Sequence, residues 1–337
     1  MILLGIETSC DDTSAAVFDT TTGIKATKTQ SQNAVHAPYG GVVPELASRA
    51  HIENIQTVIT ETLKESDVAL KELSGIAVTC KPGLPGSLLV GVSYAKALSG
   101  SLQIPIIGVN HLEGHIYSPL LEHAVPFPHI CVLVSGGNTI LYWVENAEKF
   151  TLITQTRDDA AGEAFDKIAK ILGLPYPGGP HIERQAQLVN NKDIFKYPRT
   201  HITDGSLSFS GLKTAVLYHL IEQKAYNPQI KKFLRSDDTQ FIAAVASSLQ
   251  CAITSILLQA VQTTLEQFPE ARAITLVGGV ACNNYLRSQL TQLLLPLNIP
   301  LITPSPRYCT DNGAMIALVG ARYFTSKATS ELTFDIL

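Results

Sequence analysis

The alternation of apolar and polar positions divides the first part of the chain into short strands and longer helices. Continuous apolar runs of a few residues predict strands, and apolar residues recurring at three- and four-residue spacing predict helices. Pro44 falls in the first turn of one such helix, where proline is tolerated. The predicted elements are strands 2–8, 14–18, 24–30, 76–79 and 106–109 and helices 42–64, 84–102 and 111–121.

The same order of elements recurs in the second part of the chain. The predicted elements there are strands 130–135, 139–144, 152–156, 273–277 and 300–303 and helices 162–172, 212–223, 239–268, 285–295 and 312–324. Each half therefore follows a ββαβαβα order, which favours an α/β fold made of two related lobes. We expect a first lobe at 1–127 and a second at 128–337, with a helical insertion at about 160–268 and the final helix at the interlobe cleft.

A duplicated ββαβαβα unit with polar or glycine-rich turns between its first two strands is typical of actin-like ATPases. In that architecture a nucleotide lies in the cleft between the lobes, held by one β-hairpin from each. A fold does not by itself specify a function, so the candidate sites need separate arguments.

The composition favours a folded protein with a large core and disfavours one that binds nucleic acid unaided. The 337 residues are 45% hydrophobic and 16% charged, which is enough apolar material for a large core and argues against disorder. The net charge is −4, so the chain lacks the overall basic footprint of proteins that bind nucleic acid unaided. An RNA substrate would therefore require a local basic patch or partner subunits.

Cysteine usage and hydropathy suggest a cytoplasmic protein without a membrane anchor. The six cysteines are scattered and form no CxxC pair, as expected in a reducing compartment. No apolar run approaches the ~20 residues that span a bilayer. The N-terminal segment lacks the basic region of a signal peptide.

The sharpest chemical motif is HLEGH, in which His111 and His115 are four residues apart on a predicted helix. Residues at this spacing share a helix face, so both imidazoles can reach one ion. Asp311 occupies the matching place at the start of the last helix and is a natural third ligand. Two histidines and one carboxylate leave coordination positions open and suit Fe(II) or Zn(II). The alternative is two unrelated histidines, with Asp311 acting as a helix N-cap.

The same motif raises the possibility of a metal-dependent peptidase. The zinc-peptidase motif is HExxH, in which a glutamate directly follows the first histidine. Here Leu112 holds that position and Glu113 comes one residue later. One residue rotates a helical side chain by ~100°. The spacing therefore disfavours a peptidase.

Three further segments suggest a nucleotide site. Ser135, Gly136 and Gly137 break a strand with a turn whose backbone N–H groups could hold phosphate, although a simple hairpin explains the same residues. Its counterpart in the first half is the polar turn at 8–13. The GGVACNN turn at 278–284 lies between a strand and a helix and allows close approach of a ligand. Asp166 and Glu183 could accept ribose hydroxyls, or could simply be carboxylates on a helix surface.

Taken in order, the motifs resemble those of one family, the tRNA threonylcarbamoyladenosine transferases, formerly described as O-sialoglycoprotein endopeptidases. The similarity extends from Leu4 to about Leu318, nearly the whole chain. The segments that carry it are GIETSCDDTS, PYGGVVPELASRAH, HLEGH, LVSGGNT, DDAAGEAFDKIAKILGLPYPGGP, GGVACNNYLR and YCTDNGAMIAL. The chain departs from the family at Asp12, Lys81 and Asn138, where the family has glutamate, glycine and often histidine.

The resemblance implies an actin-like fold and a t6A-forming reaction on tRNA. The donor would be threonylcarbamoyl-AMP, the acceptor the N6 amine of adenosine 37 in tRNAs that read codons starting with A, and AMP the leaving group. It also implies one divalent ion, usually iron, held by His111, His115 and Asp311. Small partner proteins, an inactive paralogue and an ATPase, are expected, and an oligomer is left open. The implied adenylate contacts are Leu133, Val134, Ser135, Gly136, Gly137, Asp166, Gly179, Glu183 and Asn283.

Asp11 is the candidate for accepting the proton of the adenosine amine, because its turn would face the same cleft. Three other classes stay open besides a transferase: a metal-dependent peptidase, an actin-like ATPase or kinase, and a non-catalytic scaffold. Bound iron or zinc would separate a transferase from an ATPase or kinase. The intact set of three ligands argues against a scaffold.

Overall fold

A computed structural model of the chain describes residues 1–199, 206–326 and Ile336. Its internal contacts group into two units. One consists of Met1–Ala124 together with Pro304–Leu337, and the other of Val125–Thr303.

The first unit contains a five-stranded sheet in the order β3-β2-β1-β4-β5. Strands β1, β2 and β3 are antiparallel neighbours, whereas β4 and β5 continue the sheet in parallel from β1. The strands are β1 (Ile2–Glu7), β2 (Asp12–Asp19), β3 (Gly23–Ser31), β4 (Gly75–Lys81) and β5 (Ile106–Asn110). The helices are α1 (Asn33–His36), α2 (Pro44–Ser66), α3 (Pro85–Leu102) and α4 (His111–Tyr117).

The core of this unit lies between the sheet and helices α2 and α3. Leu4 and Ile6 of β1 and Ile76 and Val78 of β4 are fully or almost fully buried against residues of α2 such as Ile59. Burial on both faces explains why β1 and β4 are almost continuously apolar rather than alternating.

The second unit contains a sheet with the same pairing pattern. In the order β8-β7-β6-β11-β12, its first three strands are antiparallel and its last two are parallel. The strands of this unit are β6 (His129–Val134), β7 (Thr139–Val144), β8 (Phe150–Gln155), the β9 (Tyr226–Asn227) and β10 (Lys232–Phe233) hairpin, β11 (Ile274–Val277) and β12 (Leu301–Ile302). Its helices are α5 (Ala161–Ile171), α6 (Gly178–Gln187), α7 (Ser210–Glu222), α8 (Thr239–Gln267) and α9 (Asn284–Leu294). The matching strand orders confirm the duplicated actin-like architecture.

Helices α10 (Pro306–Cys309) and α11 (Gly313–Thr325) follow β12 but belong to the first unit. Helix α11 packs on β1, β2, β4 and α4. A Cβ atom on Gly5 would lie 2.2 Å from the carbonyl oxygen of Gly313, so only glycine permits this approach. The sequence placed this helix in the second lobe, 128–337, because chain order does not reveal which sheet a terminal helix covers. Its position at an interlobe cleft stays a prediction.

The predicted strands of both sheets and the long helices are present, with ends shifted by a few residues. The helix predicted at 111–121 ends at Tyr117 and continues as a 3₁₀ turn, Ser118–Leu121, because Pro119 has no N–H to donate. Helix α6 was not predicted, since its Gly-Gly-Pro start resembles a turn and only Gly178, Ile182 and Ala186 are buried.

Helix α8 is long and apolar enough to cross a bilayer by length and composition alone. In the fold, 89% of its most apolar window is buried inside the protein. Its hydropathy therefore reflects its position as the central helix of the second unit.

Candidate functional site

His111 and His115 are brought onto one face of α4 by the way this helix begins. Strand β5 ends at Asn110, whose side chain accepts a hydrogen bond of 2.9 Å from the Leu112 N–H and so caps the helix. The two imidazole centroids are 4.7 Å apart with ring planes at 87°. Both side chains are buried, so neither is a loose surface histidine.

Asp311 lies in the link between α10 and α11 and turns its carboxylate toward both imidazoles. Its Oδ1 is 3.1 Å from Nε2 of His115 and 3.6 Å from Nε2 of His111. The N-cap of α11 is Asn312, which accepts from the Met315 N–H at 2.9 Å, so Asp311 is not needed for capping. One ligand atom from each of the three residues lies within 4.8 Å of the others, a spacing that could hold a metal ion.

Glu7 is part of this cluster, and sequence reasoning missed it. The carboxylate is completely buried at the end of β1, and its Oε2 is 2.9 Å from Nδ1 of His111. The same Oε2 accepts from the Thr79 hydroxyl at 2.6 Å, and Oε1 accepts from the Ser9 N–H. The sequence does contain a signal for this role, since Glu7 is the single charged residue in an otherwise apolar strand. A carboxylate buried with such a strand requires hydrogen-bonding or charged partners.

Glu7 determines which nitrogen of His111 is available. A carboxylate can only accept, so Nδ1 of His111 donates to Glu7 and Nε2 faces Asp311. A histidine held in this way by a carboxylate is the usual arrangement of metal-binding histidines.

The charges in the cluster shift one another's pKa values. Burial disfavours the charged form of His111, but the carboxylates of Asp311 and Glu7 outweigh it and raise its pKa to about 9. Burial opposes the charged form of Asp311 as well, but His111 and His115 lower its pKa to about 2. Likewise the pKa of Glu7 lies below its ordinary value, because His111 overcomes the effect of burial. Two anionic carboxylates around two imidazoles need a proton or a cation for balance, so these residues fit a divalent ion.

Two further carboxylates follow β1. The pKa of Asp11 is raised by burial and by the charge of Asp311. Asp12, at the start of β2, has its pKa raised to about 7 by burial, by Asp311 and by Asp11. Its Oδ1 is buried without a hydrogen-bond partner among the described residues. The sequence singled out Asp11 as the proton acceptor, and the structure places Asp12 beside it with a buried carboxylate oxygen.

The glycine turn predicted to bind phosphate connects β6 and β7 in the second unit. The Ser135 N–H donates to the Asn138 carbonyl at 2.8 Å, and the Asn138 N–H donates to the Ser135 hydroxyl at 3.1 Å. Leu133 and Val134 precede the turn with fully buried side chains, so only their backbone groups could meet a ligand.

The N-terminus of α5 lies directly on this turn. The Gly162 N–H donates to the Ser135 carbonyl at 3.2 Å, and the Ala161 N–H donates to the Thr139 hydroxyl at 2.9 Å. A Cβ on Gly162 would lie 2.4 Å from the Ser135 oxygen, which accounts for glycine at this position. A glycine turn beside a helix N-terminus favours an anion.

The remaining adenylate candidates connect three helices. On α5, Asp166 accepts from the Gly178 N–H at 2.7 Å and so fixes the start of α6, next to Gly179. Glu183 of α6 accepts from the Asn284 N–H at 2.7 Å. Asn283 caps α9 by accepting from the Leu286 N–H at 2.8 Å. The carboxylates predicted to meet a ribose therefore also hold α6 and α9 in place.

The structure thus collects the sequence-predicted residues into two groups. The three predicted metal ligands lie in the first unit and all nine adenylate candidates lie in the second. That the two groups face one cleft stays a prediction.

Comparison with solved structures concerns the fold. HypF from T. kodakarensis matches with a TM-score of 0.62 and 14% identity, covering 96% of this chain and 48% of that one. Component A of the Acidaminococcus fermentans (R)-2-hydroxyglutaryl-CoA dehydratase matches with a TM-score of 0.54 and 14% identity. The match covers 95% of this chain and 97% of that one. At such identities the likeness concerns the fold alone, and that fold is the actin-like one.

Sequence comparison identifies the family. The family model of tRNA N6-adenosine threonylcarbamoyltransferase matches residues 23–318. The transferase of that name from Pelobacter propionicus is 44% identical over 338 residues, covering 100% of this chain and 96% of its own length. The one from Desulfitobacterium hafniense is 46% identical over 330 residues, covering 96% of this chain and 93% of its own length. The chain belongs to the tRNA N6-adenosine threonylcarbamoyltransferase family. It is therefore an acyltransferase that modifies tRNA, which confirms the family and activity expected from the sequence.

Proposed function

We propose that this protein transfers the threonylcarbamoyl group of threonylcarbamoyl-AMP to the N6 amine of adenosine 37 in tRNAs that read codons starting with A. AMP is the leaving group, and one divalent ion assists. The observation that carries the proposal is the convergence of His111, His115 and Asp311 in a chain that matches this family along its whole length.

His111, His115 and Asp311 would hold the ion, each offering one ligand atom within 4.8 Å of the others. An ion held there would supply Lewis acidity able to polarise the threonylcarbamoyl carbonyl. The donor set of two imidazoles and one carboxylate suits Fe(II) or Zn(II), and the family resemblance favours Fe(II). Glu7 accepts the Nδ1 proton of His111 in a hydrogen bond and so leaves Nε2 free to bind.

The turn of Ser135, Gly136 and Gly137 binds the phosphate of the donor with the backbone N–H groups of Gly136 and Gly137, since that of Ser135 donates to the Asn138 carbonyl. The N-terminus of α5 supports this turn. Donors aimed at the departing phosphate stabilise AMP as it leaves, and this stabilisation is large where water is excluded. Gly179, Glu183 and Asn283 contact the nucleoside, and Asp166 maintains the start of α6.

The adenosine amine is a weak nucleophile and must lose a proton as it attacks. Asp11 is the proposed acceptor, since it lies two residues after Ser9, whose hydroxyl is 3.1 Å from Nδ1 of His111. A carboxylate with a raised pKa holds a proton more readily than an ordinary one, and burial together with Asp311 raises the pKa of Asp11.

The local geometry gives no support to a peptidase. Glu113, which would have to act as the base of such an enzyme, accepts a hydrogen bond of 2.5 Å from the Tyr323 hydroxyl. Its carboxylate is thus engaged with α11. An actin-like ATPase or kinase would use the glycine turn but has no need of the buried histidine pair.

The partners and cellular location follow from the same reaction. A net charge of −4 is unfavourable for binding tRNA unaided, so small partner proteins supply part of the RNA-binding surface. Those partners are an inactive paralogue and an ATPase, and the complex acts in the cytoplasm. Size-exclusion chromatography of that complex distinguishes a monomer of this chain from an oligomer.

Reconstitution tests the function directly. Purified protein is combined with ATP, threonine, bicarbonate, unmodified tRNA and the partner fractions, and nucleosides are then identified by mass spectrometry. Threonylcarbamoyladenosine should form only when this chain is present. Its formation at an undiminished rate without this chain would refute the proposal.

A further inference from the structure

Gln250 is a glutamine with no exposed surface in the middle of α8. A buried amide costs free energy unless its donor and acceptor are both bonded. Both are bonded here. Its Nε2 donates to Oδ1 of Asn191 at 2.9 Å, and its Oε1 accepts from Nδ2 of Asn283 at 2.9 Å.

The orientation of all three amides follows from one backbone group. The Leu286 N–H at the start of α9 can only donate, so the atom of Asn283 facing it must be the oxygen. Nδ2 of Asn283 then faces Gln250, which must present Oε1 to it. Nε2 of Gln250 is left to donate to Asn191. The cap of α9 therefore fixes the direction of every hydrogen bond in this relay of Asn191, Gln250 and Asn283.

The far end of the relay is anchored as well. Asn191 has a φ of 53°, a left-handed conformation that asparagine tolerates better than most residues. Its carbonyl accepts from the Cys251 thiol at 3.2 Å, so two consecutive residues of α8 hold it. Asn191 follows α6, the helix whose Glu183 also contacts the start of α9.

Asn283 uses only part of its hydrogen-bonding capacity in these contacts. Its oxygen caps α9, and one N–H of Nδ2 donates to Gln250. An amide nitrogen carries two N–H groups. Because the amide is planar and both its oxygen and its first N–H are held, the direction of the second N–H is set by the cap of α9 together with Gln250.

We propose that Gln250 is a positioning residue that locks the side chain of Asn283 so that its second amide N–H is directed at the nucleoside of the adenylate. This inference rests on the proposed role of Asn283 in binding the donor. A hydrogen bond from a pre-oriented side chain costs less ordering entropy on binding, so the relay raises affinity for the nucleotide.

The test measures AMP binding by isothermal titration calorimetry to the full-length protein. Gln250→Leu should weaken AMP binding by about 5- to 10-fold, the equivalent of one hydrogen bond. Gln250→Glu should stay within about 2-fold of the parent protein, because its carboxylate still accepts from Asn283 and the Asn191 amide can rotate to donate. Thr264→Val, another buried polar-to-apolar change on α8, is the matched control and should leave AMP binding unchanged.

A double variant separates positioning from a general structural effect. Once Asn283→Ala has removed the side chain that Gln250 orients, Gln250→Leu should weaken AMP binding no further. Full additivity of the two changes would overturn the inference. So would unaltered AMP affinity in Gln250→Leu when Asn283→Ala alone weakens binding.

Failure of the proposed function gives a different result. If Asn283→Ala leaves AMP affinity unchanged, Asn283 is not a nucleotide contact and the inference falls with that assignment. Thermal unfolding of each variant monitors folding. Should Gln250→Leu not fold, Gln250→Met removes the same hydrogen bonds with an unbranched side chain, and the same outcomes apply to it.

Discussion

Nε2 of His115 lies 3.1 Å from Oδ1 of Asp311, although 196 positions separate the two residues in the chain. The contact exists because α4 starts at the end of β5 and α11 packs on the same unit. With His111 and Glu7 it forms a buried cluster whose charges are balanced by a proton or by a divalent ion.

Asp311→Asn should remove most of the metal while preserving the shape of the site. Loss of a direct ligand should weaken binding by more than the roughly 10- to 100-fold that loss of an outer partner costs. Metal content after dialysis, measured by mass spectrometry, and transfer activity should fall together. The substitution His123→Ala, which changes an exposed histidine, is the control. Full metal content in Asp311→Asn would show that Asp311 is not a metal ligand.

Glu7→Gln should weaken metal binding without removing any ligand. The amide can still accept from Nδ1 of His111, but it lacks the negative charge that makes the imidazole a stronger donor. We expect a loss of metal affinity of about 10- to 100-fold, measured by competition with a chelator of known affinity. An affinity equal to that of the parent protein would mean that Glu7 serves packing alone.

Gly137→Ala should separate nucleotide binding from folding. Among the described residues, a Cβ on Gly137 would meet no atom within 4 Å apart from its own chain neighbours, so the substitution should not strain the fold. If backbone N–H groups of this turn hold the phosphate, the added methyl group should reduce AMP affinity by about 10-fold or more. Gly100→Ala in α3 is the matched control, since it too meets no neighbour within 4 Å and lies outside the turn. Equal AMP affinity in both variants would exclude the turn as a phosphate site.

His129→Phe should flatten the acid dependence of stability. Burial lowers the pKa of His129 from 6.5 to about 4, so between these values the unfolded chain binds a proton that the folded chain does not. Stability is therefore lost as the pH falls through this window. A fall from about pH 7.5 to about pH 4.5 should cost the parent protein about 2–3 kcal/mol of unfolding free energy more than the variant.

Urea unfolding of both proteins across this pH range measures the difference. At neutral pH the variant should lose about 1 kcal/mol, because Nδ1 of His129 no longer donates to the Pro126 carbonyl at 3.2 Å. Parallel pH curves for the two proteins would contradict the expected titration.

The local pattern of apolar and polar residues was sufficient to predict the strands of both sheets and part of the candidate site. His111 and His115 are four residues apart on one helix, so their shared face could be predicted from spacing alone. The turn at Ser135–Asn138 could likewise be predicted from glycines between two apolar runs. Both are short-range relationships, which the backbone geometry of helices and hairpins imposes.

Glu7 and Gln250 could not be assigned in this way. In the sequence, Glu7 is simply the charged residue near the end of an apolar strand, and Gln250 is one polar position on a long apolar helix. Their roles depend on partners 104 and 33 positions away, and no local periodicity encodes those distances.

The sequence by itself determined the order of strands and helices, the spacing of the histidine pair, and the motifs that identify the family. Only the tertiary structure decided that α11 joins the first unit, that Glu7 orients His111, and that Asn283 is held by a buried amide relay. The reason is physical, because periodicity reports which face of an element is buried, whereas the packing of distant elements decides which buried polar groups meet.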